Sequence, residues 1–365
     1  MINLIFFLPT FDYGGAGNSV VRLCKKLSKK KYSISIISIG KCAYKKELKS
    51  NHINVFELNT KKTVFSFFKI REITKKIYTK NKTKTIFISG HHYANVISII
   101  ALGNLKFVKI VVVERTDLEE LKIYYTFINF IKNLFIYLLV LIFYKKANAI
   151  ITNSRSAKLD LKKKCNLEAI NIKPPSVVKI LPKTNKKNKK QNYVVITVGR
   201  LSKEKGIDTM IKAFNEINSK NIILKILGDG KEKNNLQRMI YNYKLERRVF
   251  LLGLIKNPEK NYLNSDLFIH ASHFEGFPNS IAEAINHNLP VICSDCKGGT
   301  REILLNGKGG DLFPVNNHRI LASKINSFFK NPKPLKKKLA LARKKINQYT
   351  LEKNISRYDK LFTKI

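Results

Sequence analysis

Two glutamates eight positions apart, Glu275 and Glu283, flank a glycine- and proline-bearing turn: His273-Phe-Glu275-Gly276-Phe277-Pro278-Asn279-Ser280-Ile-Ala-Glu283-Ala. The apolar run Asp266-Leu-Phe-Ile-His-Ala271 is predicted to enter this turn as a strand. A helix should begin near Asn279, and Pro290-Val-Ile-Cys293 should resume as a second strand. Paired carboxylates can cleave glycosidic bonds, but only when they stand roughly 5 to 10 Å apart. Eight residues on one unbroken helix would separate them by about 12 Å. With Glu275 before the helix and Glu283 in its first turn, the two suit grips on different parts of one extended ligand. Open α/β sheets bind ligands at the carboxyl ends of their strands. The free amides of a helix that begins near Asn279 suit a phosphate at that place. A local alternative stands beside this: Ser280-Ile-Ala-Glu283 has the form of a capping box that closes the helix start with no ligand.

The elements that must position these groups lie upstream. Tyr193-Val-Val-Ile-Thr-Val-Gly199 reads as a buried strand, followed by Arg200-Leu-Ser-Lys-Glu-Lys205-Gly206 and an amphipathic helix from Ile207 to Ile217. Two cations and a glycine at a strand-to-helix turn suit a diphosphate, with Arg200 forking onto oxygens and Lys205 supplying a point charge. The same residues could form only a solvated basic loop. Strand Ile222 to Leu227, turn Gly228-Asp-Gly230, a helix, and strand Val249 to Gly253 complete an alternating series that ends at the two-glutamate segment.

Gly199-Arg200…Lys205-Gly206, Gly228-Asp229-Gly230, Gly253, Glu275-Gly-Phe-Pro…Glu283 and Gly298-Gly-Thr-Arg-Glu302-Ile together resemble, in order and spacing, the retaining glycosyltransferases of family 4. The resemblance implies the α/β fold called GT-B, two Rossmann-like parallel-sheet domains facing a cleft. It implies that Glu283 binds ribose hydroxyls, Glu275 the transferred sugar, and Arg200 and Lys205 the diphosphate. Ile255 would touch the base through its backbone. A proline common in the family's turn is replaced here by Gly299-Thr300, so the sugar contacts there are left open. No metal and no cofactor are implied, and the chain has no Asp-x-Asp to chelate one with a donor.

The N-terminal half begins with the apolar run Ile2 to Leu8 and the turn Asp12-Tyr-Gly14-Gly15-Ala-Gly17-Asn18, before a helix predicted over about Ser19 to Lys29. Glycines let backbone approach a phosphate at a helix start, and the resemblance places Gly15, beside Gly14, on the donor phosphate. A dinucleotide fold would need an acidic residue about 20 positions on. Ile36 to Ala43 has none, which argues against a nicotinamide enzyme. Strand Thr85 to Ser89 runs into Gly90-His91-His92, where His92 is the preferred candidate to stabilise charge or orient an acceptor. The strand from Val108 to Val113 ends in Glu114-Arg115, a pair that is either cleft-lining or structural.

At 365 residues the chain exceeds one ordinary core. The expected division is residues 1–182 on the acceptor side, a basic linker at 183–191, and a nucleotide-sugar domain at 192–348, with a final helix of about 349–365 packing back on the first. Sixty-nine Lys and Arg against 25 Asp and Glu, a net +44, favour anionic surfaces. No nucleic-acid module is present to use that charge. Five cysteines without a framework point to a reducing cytoplasm, and the first apolar run lacks the flanks of a signal peptide. The segment from Ile123 to Tyr144 is apolar all round, with an uninterrupted core shorter than the roughly 20 residues of a span. It is expected to lie half-buried and half in the surface of an anionic membrane, with a wholly buried helix and a true span as alternatives. The resulting expectation is a cytoplasmic enzyme, peripheral on the inner face of the membrane. It would use a nucleotide-diphosphate sugar and a glycan or lipid-linked acceptor. The alternatives are a sugar-nucleotide epimerase of the same two-domain layout and a non-catalytic membrane-docking homologue.

Overall fold

The structure is a computed structural model that describes residues 1–60, 63–122, 127–182 and 192–365. It divides into two compact units, Met1–Pro175 with Leu351–Ile365, and Ser176–Thr350. The expected linker at 183–191 lies outside the described residues. The segment before it, assigned above to the first domain, belongs to the second: Val177 bridges Thr350, and the Leu181 amide donates to Asn286 Oδ1.

Unit 1 holds a parallel sheet of strands β1 (Ile2–Leu8), β2 (Tyr32–Ser38), β3 (Asn54–Glu57), β4 (Thr85–Gly90), β5 (Val108–Glu114), β6 (Ala149–Thr152) and β7 (Ile170–Asn171). Their order is β3-β2-β1-β4-β5-β6-β7. Both faces are covered, because successive apolar side chains of a strand point to opposite sides. Leu4, Phe6 and Leu8 of β1 enter one core, and Ile5 and Phe7 enter the other. The first of these cores is completed by the terminal helix Leu351–Lys364, through Tyr358, Leu361 and Phe362. Tyr32 also donates from its hydroxyl to Asp359 Oδ1 at 2.7 Å.

The first helix runs over Gly15–Lys26, four residues earlier than predicted. The glycines therefore form its opening turn rather than a loop before it. A side chain at Gly17 would sit 2.6 Å from the carbonyl oxygen of Asp12, so the tight entry requires a residue without one.

The helix Phe127–Phe143 continues through the short turn Tyr144–Lys146, giving 20 residues long and apolar enough to cross a membrane by length and composition. Residues 123–126, the start of the segment read from the sequence, lie outside the described residues. Its inner side is committed to the fold, with Ile136, Val140 and Tyr144 buried. Phe127, Ile128, Ile131, Phe135, Leu138 and Ile142 are exposed. Leu139 and Phe143 lean on the core instead of facing out.

Unit 2 holds β8 (Tyr193–Val198), β9 (Ile222–Leu227), β10 (Val249–Leu251), β11 (Leu267–His270), β12 (Phe274–Glu275), β13 (Val291–Ser294), β14 (Lys297–Gly298) and β15 (Asp311–Phe313). The main sheet has the order β10-β9-β8-β11-β13-β15, and β12 pairs with β14 apart from it. Here too the cores alternate along a strand: Leu267 and Ile269 face one, Phe268 the other.

Candidate functional site

The loops at the carboxyl ends of β8 and β11 meet around Glu275. Gly199 closes β8 and Arg200 follows it, exposed. The loop is tied down where the Leu201 amide donates to the carbonyl of Asp229. It then turns through Lys203–Lys205 to Gly206, whose left-handed φ of +59° opens the helix Ile207–Asn215. From this turn the Lys205 ammonium reaches Glu275 Oε1 at 2.5 Å.

Two further side chains converge on the same oxygen. Ser272 Oγ donates to it at 2.8 Å, and His270 Nε2 lies 3.0 Å away. Ser272 is itself fixed, since Ser294 Oγ donates to its carbonyl at 2.6 Å. Burial pushes the Glu275 carboxyl up, but the Lys205 charge and the His270 hydrogen bond outweigh it and hold the group well below the usual carboxylate range. These partners favour Glu275 as the carboxylate, an acceptor of hydrogen bonds. The strand that carries it depends on Gly298: at φ +107° a side chain there would sit 1.4 Å from the Glu275 carbonyl oxygen. Only glycine lets β12 and β14 pair.

Glu283 stands in the helix Asn279–Asn286, one position past its first turn. The capping box does not form. The helix begins at Pro278 with no side-chain cap, and Glu283 Oε2 accepts instead from the Tyr262 hydroxyl at 3.2 Å. Tyr262 stacks on His287, ring centroids 4.9 Å apart, which fixes the direction of that bond. Phe277 is buried against Tyr349, and Ile255 packs on the same core. Asn279 Oδ1 accepts from Ser176 Oγ at 2.6 Å, which anchors the helix start, and Ser280 lies half-buried beside it. Glu275, Lys205 and Arg200 therefore belong to neighbouring loops, and Glu283 to the helix that follows Glu275.

In unit 1, Gly14 caps the first helix without a side-chain bond, its amide donating to Asp12 Oδ1, and Gly15 is the exposed first helical residue. His92 opens the helix His92–Leu102 but is turned inward, only 4% exposed. Its Nδ1 lies 2.9 Å from Glu114 Oε1, an ion-pair contact off the line of a hydrogen bond, and its Nε2 lies 3.3 Å from Thr116 Oγ1. Burial opposes its protonation, but Glu114 and then Glu120 prevail and push its pKa up to about 10. The other Glu114 oxygen accepts from Tyr144, whose hydroxyl accepts in turn from Asn95 Nδ2. The histidine expected to stabilise charge or orient an acceptor is instead clamped by carboxylates behind the strand end.

Sequence reasoning missed His270 and Ser272. Their signal was a histidine and a serine closing an otherwise apolar strand three to five residues before Glu275.

Residues 179–348 match the family model of glycosyl transferases group 1. An uncharacterized glycosyltransferase of Methanocaldococcus jannaschii is 33% identical over 315 residues, covering 78% of this chain and 73% of that protein. The N-acetylgalactosamine-N,N'-diacetylbacillosaminyl-diphospho-undecaprenol 4-alpha-N-acetylgalactosaminyltransferase of Campylobacter jejuni is 30% identical over 204 residues, 53% of this chain and 54% of that protein. In fold, HepE of Anabaena, crystallised with UDP-glucose, superposes with a TM-score of 0.80 at 19% identity, all of both chains covered. Two parallel-sheet α/β units with such neighbours define the GT-B fold. The chain belongs to the group 1 glycosyltransferases.

Proposed function

We propose that the protein is a retaining glycosyltransferase of family 4, moving a hexose or N-acetylhexosamine from a nucleotide-diphosphate sugar to a growing, lipid-linked surface glycan. The observation that carries this reading is the direct contact of Lys205 with Glu275. A sugar and its diphosphate are covalent neighbours, so a cation for the one and an anion for the other must also be neighbours. Support for the donor comes from the UDP-glucose bound to HepE, and for the acceptor from the diphospho-undecaprenol in the name of the Campylobacter relative.

In this reading Glu275 accepts hydrogen bonds from hydroxyls of the transferred sugar. Lys205, Arg200 and the amides from Phe277 to Ser280, with Pro278 and Asn279 shaping the turn, stabilise the diphosphate as the bond from sugar C1 to its oxygen breaks. The acceptor oxygen bonds to C1 on the face the diphosphate leaves, and its proton passes to the departing group. Glu283 holds ribose hydroxyls, the backbone at Ile255 the base, and Gly14 and Gly15 a donor phosphate. His92 serves as a positioning residue that fixes the end of β4 on the acceptor side. The cations supply the charge neutralisation that a metal gives elsewhere, so no metal or cofactor is needed; chelator should leave turnover unchanged, and loss restored by magnesium would refute this.

The exposed apolar side of the helix Phe127–Phe143, in a chain of net charge +44, is assigned to an anionic membrane surface on the cytoplasmic side. Phe135→Ser with Leu138→Ser should release the protein from anionic vesicles while its thermal transition stays cooperative. Binding equal to the wild type would refute the assignment. Transfer itself is tested by mass analysis of products from a donor panel with lipid-linked acceptors. Conversion of a donor with no acceptor present would replace the transferase reading with an epimerase.

A further inference from the structure

A second polar feature of unit 1 belongs to none of the residues assigned so far. The strand order reverses between β1 and β4, the kind of place where open α/β sheets take ligands. Over the carboxyl ends there lies a small, open pocket. Leu8 of β1, Gly90 of β4, Asn153 and Tyr358 of the terminal helix contribute to its wall. Neither Gly14, Gly15 nor His92 lines it.

Arg115 is the only cation among the lining residues, and no carboxylate lines the pocket. Its Nε is enclosed and has no hydrogen-bond partner among the described residues. The adjacent carboxylate, Glu114, is already committed to His92 and Tyr144. Burial therefore holds the guanidinium below its ordinary pKa, which Tyr358 and Glu114 offset only in part. Room for the group is made by a residue 25 positions earlier. A side chain at Gly90 would sit 2.7 Å from Arg115 Nε and 2.7 Å from Leu8 Cδ2. A buried N–H donor with nothing to bind is costly, and the guanidinium fork that carries it matches a carboxylate or phosphate oxygen pair.

We propose that this pocket binds a compact oxyanion, a carboxylate or phosphate group of the acceptor, with Arg115 as the group that grips it. That the anion belongs to the acceptor rests on the transferase reading; that the pocket binds an anion does not. The lining residues all belong to unit 1, whereas Arg200 and Lys205, the cations proposed above for the diphosphate, belong to unit 2.

The test follows the arginine Nε–H resonances of the full chain, labelled with ¹⁵N-arginine, during titration with inorganic phosphate and separately with acetate. The Arg115 resonance is assigned by its absence from Arg115→Lys. It should shift saturably, and the anion that saturates at the lower concentration identifies phosphate or carboxylate as the group preferred. Arg115→Lys keeps the charge but loses the fork, and should weaken that anion roughly tenfold, as expected for one charge-assisted hydrogen bond. If Arg115→Lys does not fold, Gly90→Ala, which crowds the guanidinium, serves as the second variant, and the assignment passes to the resonance it displaces. An Arg115 resonance that moves with neither anion overturns the proposal. Failure of the transferase reading would show instead as absence of glycosylated product, with the anion titration unchanged.

Discussion

Each unit places an ion pair at the carboxyl end of its sheet, but the two pairs are built for different work. In unit 2 the anion Glu275 is held by Lys205, which arrives from another loop and keeps 25% of its side-chain surface exposed. In unit 1 the cation His92 is held by Glu114 on a strand, and the two side chains are 5% and 1% exposed. An ammonium with open surface and three donors can take an anionic ligand while keeping its carboxylate. An enclosed imidazolium between carboxylates has no such freedom, and its value is to lock the backbone that carries it. Proximity to a strand end is thus insufficient to mark a group as one that meets substrate; the solvent-facing remainder of the pair decides.

The comparison can be broken first at His92. Removing its charge would leave Glu114 buried and unpaired, so His92→Ala should lower unfolding free energy by about 3 to 5 kcal/mol in chemical denaturation. A loss near zero would mean that the pair is not structural. At the other pair, Lys205→Ala should reduce kcat by about 10²- to 10³-fold, the effect of losing one aimed donor to a leaving group. Near-normal turnover would return its loop to a solvated basic turn. Glu283→Ala should weaken nucleotide-sugar binding by about 1 to 3 kcal/mol through lost hydrogen bonds. Calorimetry showing unchanged affinity in the folded variant would limit Glu283 to its bond with Tyr262.

A smaller, signed difference should appear in pH dependence. Glu275 has a depressed folded pKa, so its contribution is complete above the unfolded carboxylate range, about 4.3. It is lost as pH falls further toward the folded value. Lys205→Ala should flatten this acid limb in thermal melts. His92 has a raised folded pKa, so its contribution is complete below the unfolded value of about 6.5. It is lost as pH rises through about 10. His92→Gln should flatten the alkaline limb instead, and equal limbs in wild type and variant would contradict the ion-pair assignments.

The glycine positions and the two glutamates were legible because each motif stands alone in the chain. Gly199, Gly206, Gly298 and the segment from Glu275 to Glu283 announce strand ends and turns by their own residue types. What could not be read were relations across the sheet. His270 and Ser272 matter only because the strand and its turn fold them onto Glu275, and Ser280 with Glu283 satisfied a capping pattern that Tyr262 pre-empts. Likewise, apolar residues on all sides of the helix Phe127–Phe143 do not say which side the core takes. The structure assigns Leu138 outward and Leu139 and Phe143 inward. The room that Gly90 leaves for Arg115 is a contact between adjacent strands, invisible in either segment by itself.

Saturation-transfer NMR with a panel of UDP-, GDP- and dTDP-sugars tests the central assignment most directly. At least one nucleotide-sugar should receive saturation at both its ribose and its hexose protons from the wild-type protein. The hexose signals should fade selectively in Glu275→Gln, and the ribose signals in Glu283→Ala. A panel in which no nucleotide-sugar is saturated, or variants that both give the wild-type pattern, would contradict the placement of the donor on these two glutamates.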